Sequence, residues 1–186
     1  MVLEMSGNHL PQLQLHYTGP EPQNDIPAQD HVYTVREEPL GTPKQIRIVL
    51  IGAGASGLNM IRTLRLNLTN YELAVYEKND EVGGTWYENR YPGVRCDVPS
   101  HNYQFSWQPN PRWTNFFSPA SEIEEYLRTI CDDESMRDVI KTSHRVASAK
   151  WNEAKGLWRL NIKNLKTGEE FEDYANFLLD GSGILK

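Results

Sequence analysis

Apolar residues first gather at Ile46, Ile48, Val49, Leu50 and Ile51, a largely β-branched run that stops at Gly52 and has the pattern of a strand buried on both faces. Beyond a glycine-rich turn, Leu58, Ile61, Leu64 and Leu68 recur at helical spacing with Arg62, Arg65 and Asn67 between them, which predicts an amphipathic helix. Leu73 to Glu77 then reads as a second short strand. Farther along, Ser121 and Glu124 form a capping-box pattern ahead of a stripe of Ile123, Tyr126, Leu127 and Ile130, predicting a helix over 121–132. Residues 146–151, 157–164 and 169–175 read as three antiparallel strands, turning at Asn152 to Gly156 and at Thr167-Gly168. Phe177 to Asp180 is expected as a buried strand ending in Gly181-Ser182-Gly183, the kind of strand end where open α/β sheets hold ligands.

Two stretches lack such periodicity. Residues 79–118 are rich in Gly, Pro, Asn and aromatics and are expected to be long and largely irregular. Residues 1–45 contain six of the eleven prolines and no sustained apolar period. They are expected to form a mostly irregular N-terminal arm that trails from or wraps over the domain, the alternative being an arm that contacts a partner or substrate. The expected organisation is thus an arm over 1–45 and one domain over 46–186.

Charge narrows the function classes. With 19 Lys+Arg against 25 Asp+Glu the net charge is −6, and no block of five basic residues occurs, so a nucleic-acid partner is not expected. The aromatic run Tyr103, Phe105, Trp107, Trp113, Phe116 and Phe117 lacks the interleaved cations of a base-stacking surface. Burial beneath the irregular segment, or a share in an apolar substrate pocket, fits it better. No run approaches the roughly 18 apolar residues of a spanning helix. Glu4 and the absence of a continuous apolar start argue against a secretory signal, so a cytoplasmic protein is expected. Cys96 and Cys131 are too few for a disulfide framework or zinc cage, and the five histidines show no ligand spacing. Ser100-His101 and Ser182 sit in no nucleophile elbow, and the Asn67-Leu68-Thr69 sequon has no secretory route.

The candidate chemistry lies in Gly52-Ala53-Gly54-Ala55-Ser56-Gly57, between the first strand and the first helix. In such a turn Gly52 permits the sharp bend, Gly54 lets backbone approach a pyrophosphate, and Gly57 lets the helix pack close to the strand. The helix start, with Ala55 and Ser56, supplies free N–H donors and about half a unit of positive charge. Glu77 follows Gly57 by 20 positions and is placed to accept hydrogen bonds from a ribose diol. The plain alternative is a ligand-free glycine turn with a solvated acid. If a dinucleotide binds, the acid disfavours a 2′-phosphate, so the site suits FAD or NAD(H) rather than NADP. The expected fold is α/β: a Rossmann-like parallel sheet in a three-layer arrangement, with the antiparallel β-meander inserted before the chain returns to the sheet.

The next segment, Glu81-Val82-Gly83-Gly84-Thr85-Trp86-Tyr87-Glu88-Asn89-Arg90-Tyr91-Pro92-Gly93-Val94-Arg95-Cys96-Asp97, resembles the flavin-proximal segment of Baeyer-Villiger monooxygenases, among the class B flavoprotein monooxygenases. The resemblance continues through Pro99-Ser100-His101-Asn102-Tyr103 and is strongest to fungal members with a Pro-containing arm ahead of the glycine motif. It implies FAD as cofactor, with residues 46–186 covering most of the first part of the FAD domain. Gly84, Thr85 and Trp86 would form a flavin wall, and a Pro92-Gly93 turn would present Arg95, Cys96, Asp97 and Val98 to the site. Lys78 would join Glu77 in holding FAD, Tyr103 matches a flavin contact, and Val146 falls on the adenine side. Asp97 matches a family aspartate that positions an essential arginine beside the flavin, and is the expected catalytic residue. Turn stabilisation by Asp97, and ordinary packing of Trp86 and Tyr103, stay open as alternatives.

The resemblance also implies NADPH as co-substrate and oxygen insertion beside a ketone or onto a heteroatom, in fungal secondary metabolism with a polyketide-like small molecule. Family members carry a second, NADPH-binding domain, an F-x-G-x-x-x-H-x-x-x-W fingerprint and the catalytic arginine, none of which occurs in these 186 residues. The expectation is therefore a flavin monooxygenase portion whose remainder comes from a separate chain, or a truncated non-catalytic flavin-binding module or gene remnant.

Overall fold

The computed structural model describes residue 39 and residues 41–184, so the arm expected over 1–45 lies almost wholly outside the described residues. β1 (Ile46–Ile51), β2 (Tyr71–Tyr76), β3 (Ile140–Lys141) and β7 (Phe177–Asp180) form a parallel sheet in the order β3-β2-β1-β7. Leu50 and Val75 face α1 (Ala55–Asn67) and α3 (Ala120–Asp133), meeting Leu58, Ile61, Ile123, Leu127 and Ile130. Val49, Ala74 and Tyr76 point to the opposite face, where they pack on Leu160, Ile162 and Ala175. β1 therefore reads as apolar without alternation because its successive residues enter different cores. Burial of each Val, Leu or Ile among them stabilises the fold by about 1.5–3 kcal/mol.

The second face is covered by the meander β4 (His144–Asn152), β5 (Leu157–Asn164) and β6 (Glu170–Ala175), antiparallel throughout. Helices, parallel sheet and meander make the three layers of an α/β Rossmann-like fold. A bulge between Val146 and Ser148 resets the alternation, so Val146 and Ala149, three positions apart, both reach the core beneath β4.

Several elements depart from the sequence pattern. β7 is an edge strand rather than a buried one: it bonds to β1, no described residue pairs with its outer edge, and Phe177 is 55% exposed. α3 starts at Ala120 with Pro119 as its N-cap and no side-chain cap, so the Ser121–Glu124 capping box does not form. The backbone there pairs instead with Val94 to Cys96, through Cys96 N–H to Ser118 O at 3.0 Å and Ala120 N–H to Val94 O at 3.0 Å. A short helix α2 (Thr85–Glu88) and a 3₁₀ turn at Ser100–Asn102 interrupt the stretch expected to be irregular.

Candidate functional site

At the carboxyl end of β1 the chain turns through Gly52 (φ 92°) and enters α1, whose N-cap is Gly54. A Cβ on Gly57 would lie 2.1 Å from the Gly52 carbonyl oxygen, and one on Gly52 would lie 2.7 Å from that of Gly181. Both positions therefore require glycine, Gly57 for the approach of helix to turn and Gly52 for the positive φ and the passage of β7's end. The Gly52 N–H donates to Tyr76 O at 2.8 Å, fixing the turn to the end of β2.

Glu77 follows β2 and is 3% exposed. Its Oε2 accepts the Ala53 N–H and its Oε1 the Asn79 N–H, each at 2.8 Å. The carboxylate thus staples the glycine turn to β2, a role its sequence position did not announce. A carboxylate has about four lone-pair directions, so roughly two stay available to hydroxyl donors in the cleft. Beside it, the Lys78 Nζ pairs with Glu88 Oε1 at 2.8 Å, and Asn79 Nδ2 donates to the same oxygen.

These groups surround a cleft of about 360 Å³. Of the residues singled out from sequence, Gly52, Gly54, Ala55, Ser56, Glu77, Lys78, Gly84, Thr85, Trp86, Tyr103 and Val146 line it, whereas Gly57 lies behind the wall, against Gly52. The Trp86 indole N–H donates to the Tyr103 hydroxyl at 2.9 Å, with the rings edge to face at 5.1 Å. Behind Tyr103 lies a second, apolar cavity of about 220 Å³ lined by Phe105, Ile123, Tyr126 and Leu127.

Arg95, Cys96, Asp97 and Val98 do not line the cleft. The Pro92-Gly93 turn forms, with Gly93 at φ 83° and Val94 N–H donating to Tyr91 O at 3.2 Å. Pairing with Ser118 to Ala120 then carries the chain along α3's entry, leaving Arg95, Asp97 and Val98 exposed, while the buried Cys96 thiol donates to Val98 O at 3.1 Å. The aromatic run divides likewise: Trp113 is buried, Phe105 stacks on Trp107 at 4.9 Å, and Phe116 and Phe117 are exposed. Gly83, part of the Gly83-Gly84 pair of the motif, lines the cleft as well, and Tyr76, His144 and Arg145 line it without a signal in the sequence beyond their nearness to strand ends. Burial pushes the Cys131 thiol up to about 11, so it stays protonated and inert. Among the described residues no cluster of His, Cys, Asp and Glu has a metal-holding arrangement, and no helix is long and apolar enough to cross a membrane.

Comparison with known proteins adds to this geometry. The family model of the NAD(P)-binding Rossmann-like domain matches residues 50–120. The FAD-binding monooxygenase stcW of Emericella nidulans is 38% identical over 181 residues, covering 93% of this chain and 29% of its own length. A Baeyer-Villiger monooxygenase of Pseudomonas aeruginosa is 34% identical over 162 residues, 86% of this chain and 30% of that protein. The solved structure of an oxidized steroid monooxygenase bound to NADP superposes with a TM-score of 0.64 at 34% identity, over 75% of this chain and 26% of that one. The chain thus spans less than a third of the length of these relatives. With the glycine turn, the stapled acid and the meander all in place, the chain is similar to a part of the FAD-binding and Baeyer-Villiger monooxygenases.

Proposed function

We propose that the cleft binds FAD, as part of a flavin monooxygenase that uses NADPH as co-substrate. The observation that carries this reading is the buried Glu77 carboxylate beside a turn where a Cβ on Gly52 or Gly57 has no room. The residues fit the group. The first N–H groups of α1, at Ala55 and Ser56, have no acceptor within the helix and suit a diphosphate. The remaining lone pairs of Glu77 suit a ribose diol, and its charge opposes a 2′-phosphate. Lys78 borders the same end, and Val146 lies on the wall given to adenine. Gly84, Thr85, Trp86 and Tyr103 form the opposite wall, toward the ribityl chain and ring. When bound, FAD supplies the electron transfer and oxygen activation; this chain binds and orients it.

For the complete enzyme we propose oxygen insertion beside a ketone or onto a heteroatom of a small molecule, polyketide-like in a fungal secondary pathway, in the cytoplasm. Arg95, Cys96, Asp97 and Val98 would then serve the ring end, with Asp97 orienting catalytic groups brought by further polypeptide, whether a continuation or a separate chain. The exposure of Arg95, Asp97 and Val98 favours a second reading for these 186 residues alone, a flavin-binding module without turnover. The experiment is direct: the purified chain is expected to carry visible flavin absorbance, or to gain thermal stability on addition of FAD, and to oxidise NADPH negligibly with or without ketones. Absence of both flavin signals sinks the binding reading, and ketone-dependent NADPH oxidation sinks the module reading.

A further inference from the structure

We propose that Asp173, on meander strand β6 and outside the cleft, is a positioning residue that holds the glycine turn in register for the adenosine diphosphate half of the cofactor. The inference rests on the FAD reading above. Asp173 is a side chain of 13% exposure with a filled set of partners. Arg47 of β1 grips it with two bonds, Nε to Oδ1 at 3.0 Å and Nη2 to Oδ2 at 2.8 Å. The Tyr76 hydroxyl of β2 donates to Oδ2 at 2.6 Å, and the Tyr174 N–H donates to Oδ1 at 2.8 Å. Burial works against the charge, but the Arg47 and Tyr76 bonds outweigh it and keep the carboxyl below its ordinary range. Arg47 also pairs with Glu72 of β2, so one guanidinium joins β1, β2 and β6.

Tyr76 carries this anchorage to the cleft, which it lines while being 2% exposed. Its carbonyl oxygen receives the Gly52 N–H, and the next residue, Glu77, receives the Ala53 N–H. The first two amides of the turn are therefore held by residues 76 and 77, and residue 76 is held from the far layer by Asp173. Burial, then the hydrogen bond to Asp173, raises the Tyr76 hydroxyl above its usual range, so it remains a donor through neutral pH. The ring is fixed on its other sides, with His144 at 6.2 Å, Phe171 at 6.3 Å and the Lys141 Nζ 5.4 Å from its centroid. A loosened Tyr76 would shift the turn without removing any group that touches the ligand.

The test uses the full chain with D173N and Y76F, singly and together. Y76F leaves the Arg47–Asp173 pair in place, so it reports on the same link should D173N fold poorly. ADP and FAD are titrated, and amide hydrogen exchange is followed in the ligand-free proteins. Each single substitution is expected to weaken ADP binding about ten-fold, and the double substitution to be no worse than the weaker-binding single, as for two ends of one link. Exchange should quicken at Gly52 and Ala53 while the Ile162 amide in the middle of the meander keeps its protection. ADP affinity within about two-fold of the parent in both single variants, or exchange that rises uniformly, overturns the proposal and leaves a packing role only. A parent chain that binds neither ADP nor FAD overturns the FAD reading itself, and this inference with it.

Discussion

At the glycine-turn end of the cleft the wall is backbone from the ends of β1, β2 and β7, locked by the Glu77 carboxylate and by contacts too close for a side chain. At the Trp86 end the wall is a short helix and one loop, and in the same stretch of chain Tyr91 (61%), Val98 and Phe116 (68%) are exposed. The first end is completed by this chain's own sheet. The second is held by side chains, the Trp86 indole on the Tyr103 hydroxyl and Glu88 on Lys78 and Asn79. On the FAD reading proposed above, nucleotide grip and flavin-ring chemistry would be separable, the first resting on the sheet ends and the second on the wall around Trp86.

Breaking the glycine-turn end should have the largest effect. Gly57→Val puts a branched side chain where even a Cβ meets the Gly52 oxygen at 2.1 Å. The helix must back away from the turn, and a loss of about 3 kcal/mol or more is expected, read as a lowered urea midpoint. Glu77→Ala comes next. It strips the acceptor from the buried Ala53 amide and the part-buried Asn79 amide, with an expected loss of about 2 kcal/mol of stability. FAD affinity should fall about ten-fold or more, since the same carboxylate is assigned to the ribose. Unchanged affinity in a folded Glu77→Ala protein would detach the acid from the ligand and leave it as a staple only.

The locked end could be read from local periods in the sequence, whereas Gly84, Thr85, Trp86 and Tyr103 were reached through a motif. β1, the turn, α1 and β2 are contiguous, and each reveals itself through a local period: an unbroken apolar run, a glycine spacing, a helical stripe. The meander showed for the same reason, by alternation, although the bulge after Val146 hid the start of β4. What stayed hidden depends on partners far along the chain. β3 has two residues and exists because Val75 and Tyr76 pair with Ile140 and Lys141. The Asp173 bond to Tyr76 spans 97 positions. The direction of residues 94–97 is set by Ser118 to Ala120, which also supply α3's start in place of the capping box that Ser121 and Glu124 suggested. A motif can name the residues of the loop, but not which way pairing aims them.

The smallest expected effect bears on that loop and sharpens the contrast most. Asp97 is exposed and lies outside the cleft wall, so Asp97→Ala in this chain should change stability by less than about 0.5 kcal/mol. Its FAD affinity should match the parent's in the same titration that shows the Glu77→Ala loss. Were Asp97→Ala to weaken FAD as Glu77→Ala does, residues 94–98 would have to leave their pairing with Ser118 to Ala120 and close on the cofactor when it binds. The two ends would then be one site assembled by the ligand. An unchanged affinity instead leaves the role proposed for Asp97 to steps after binding.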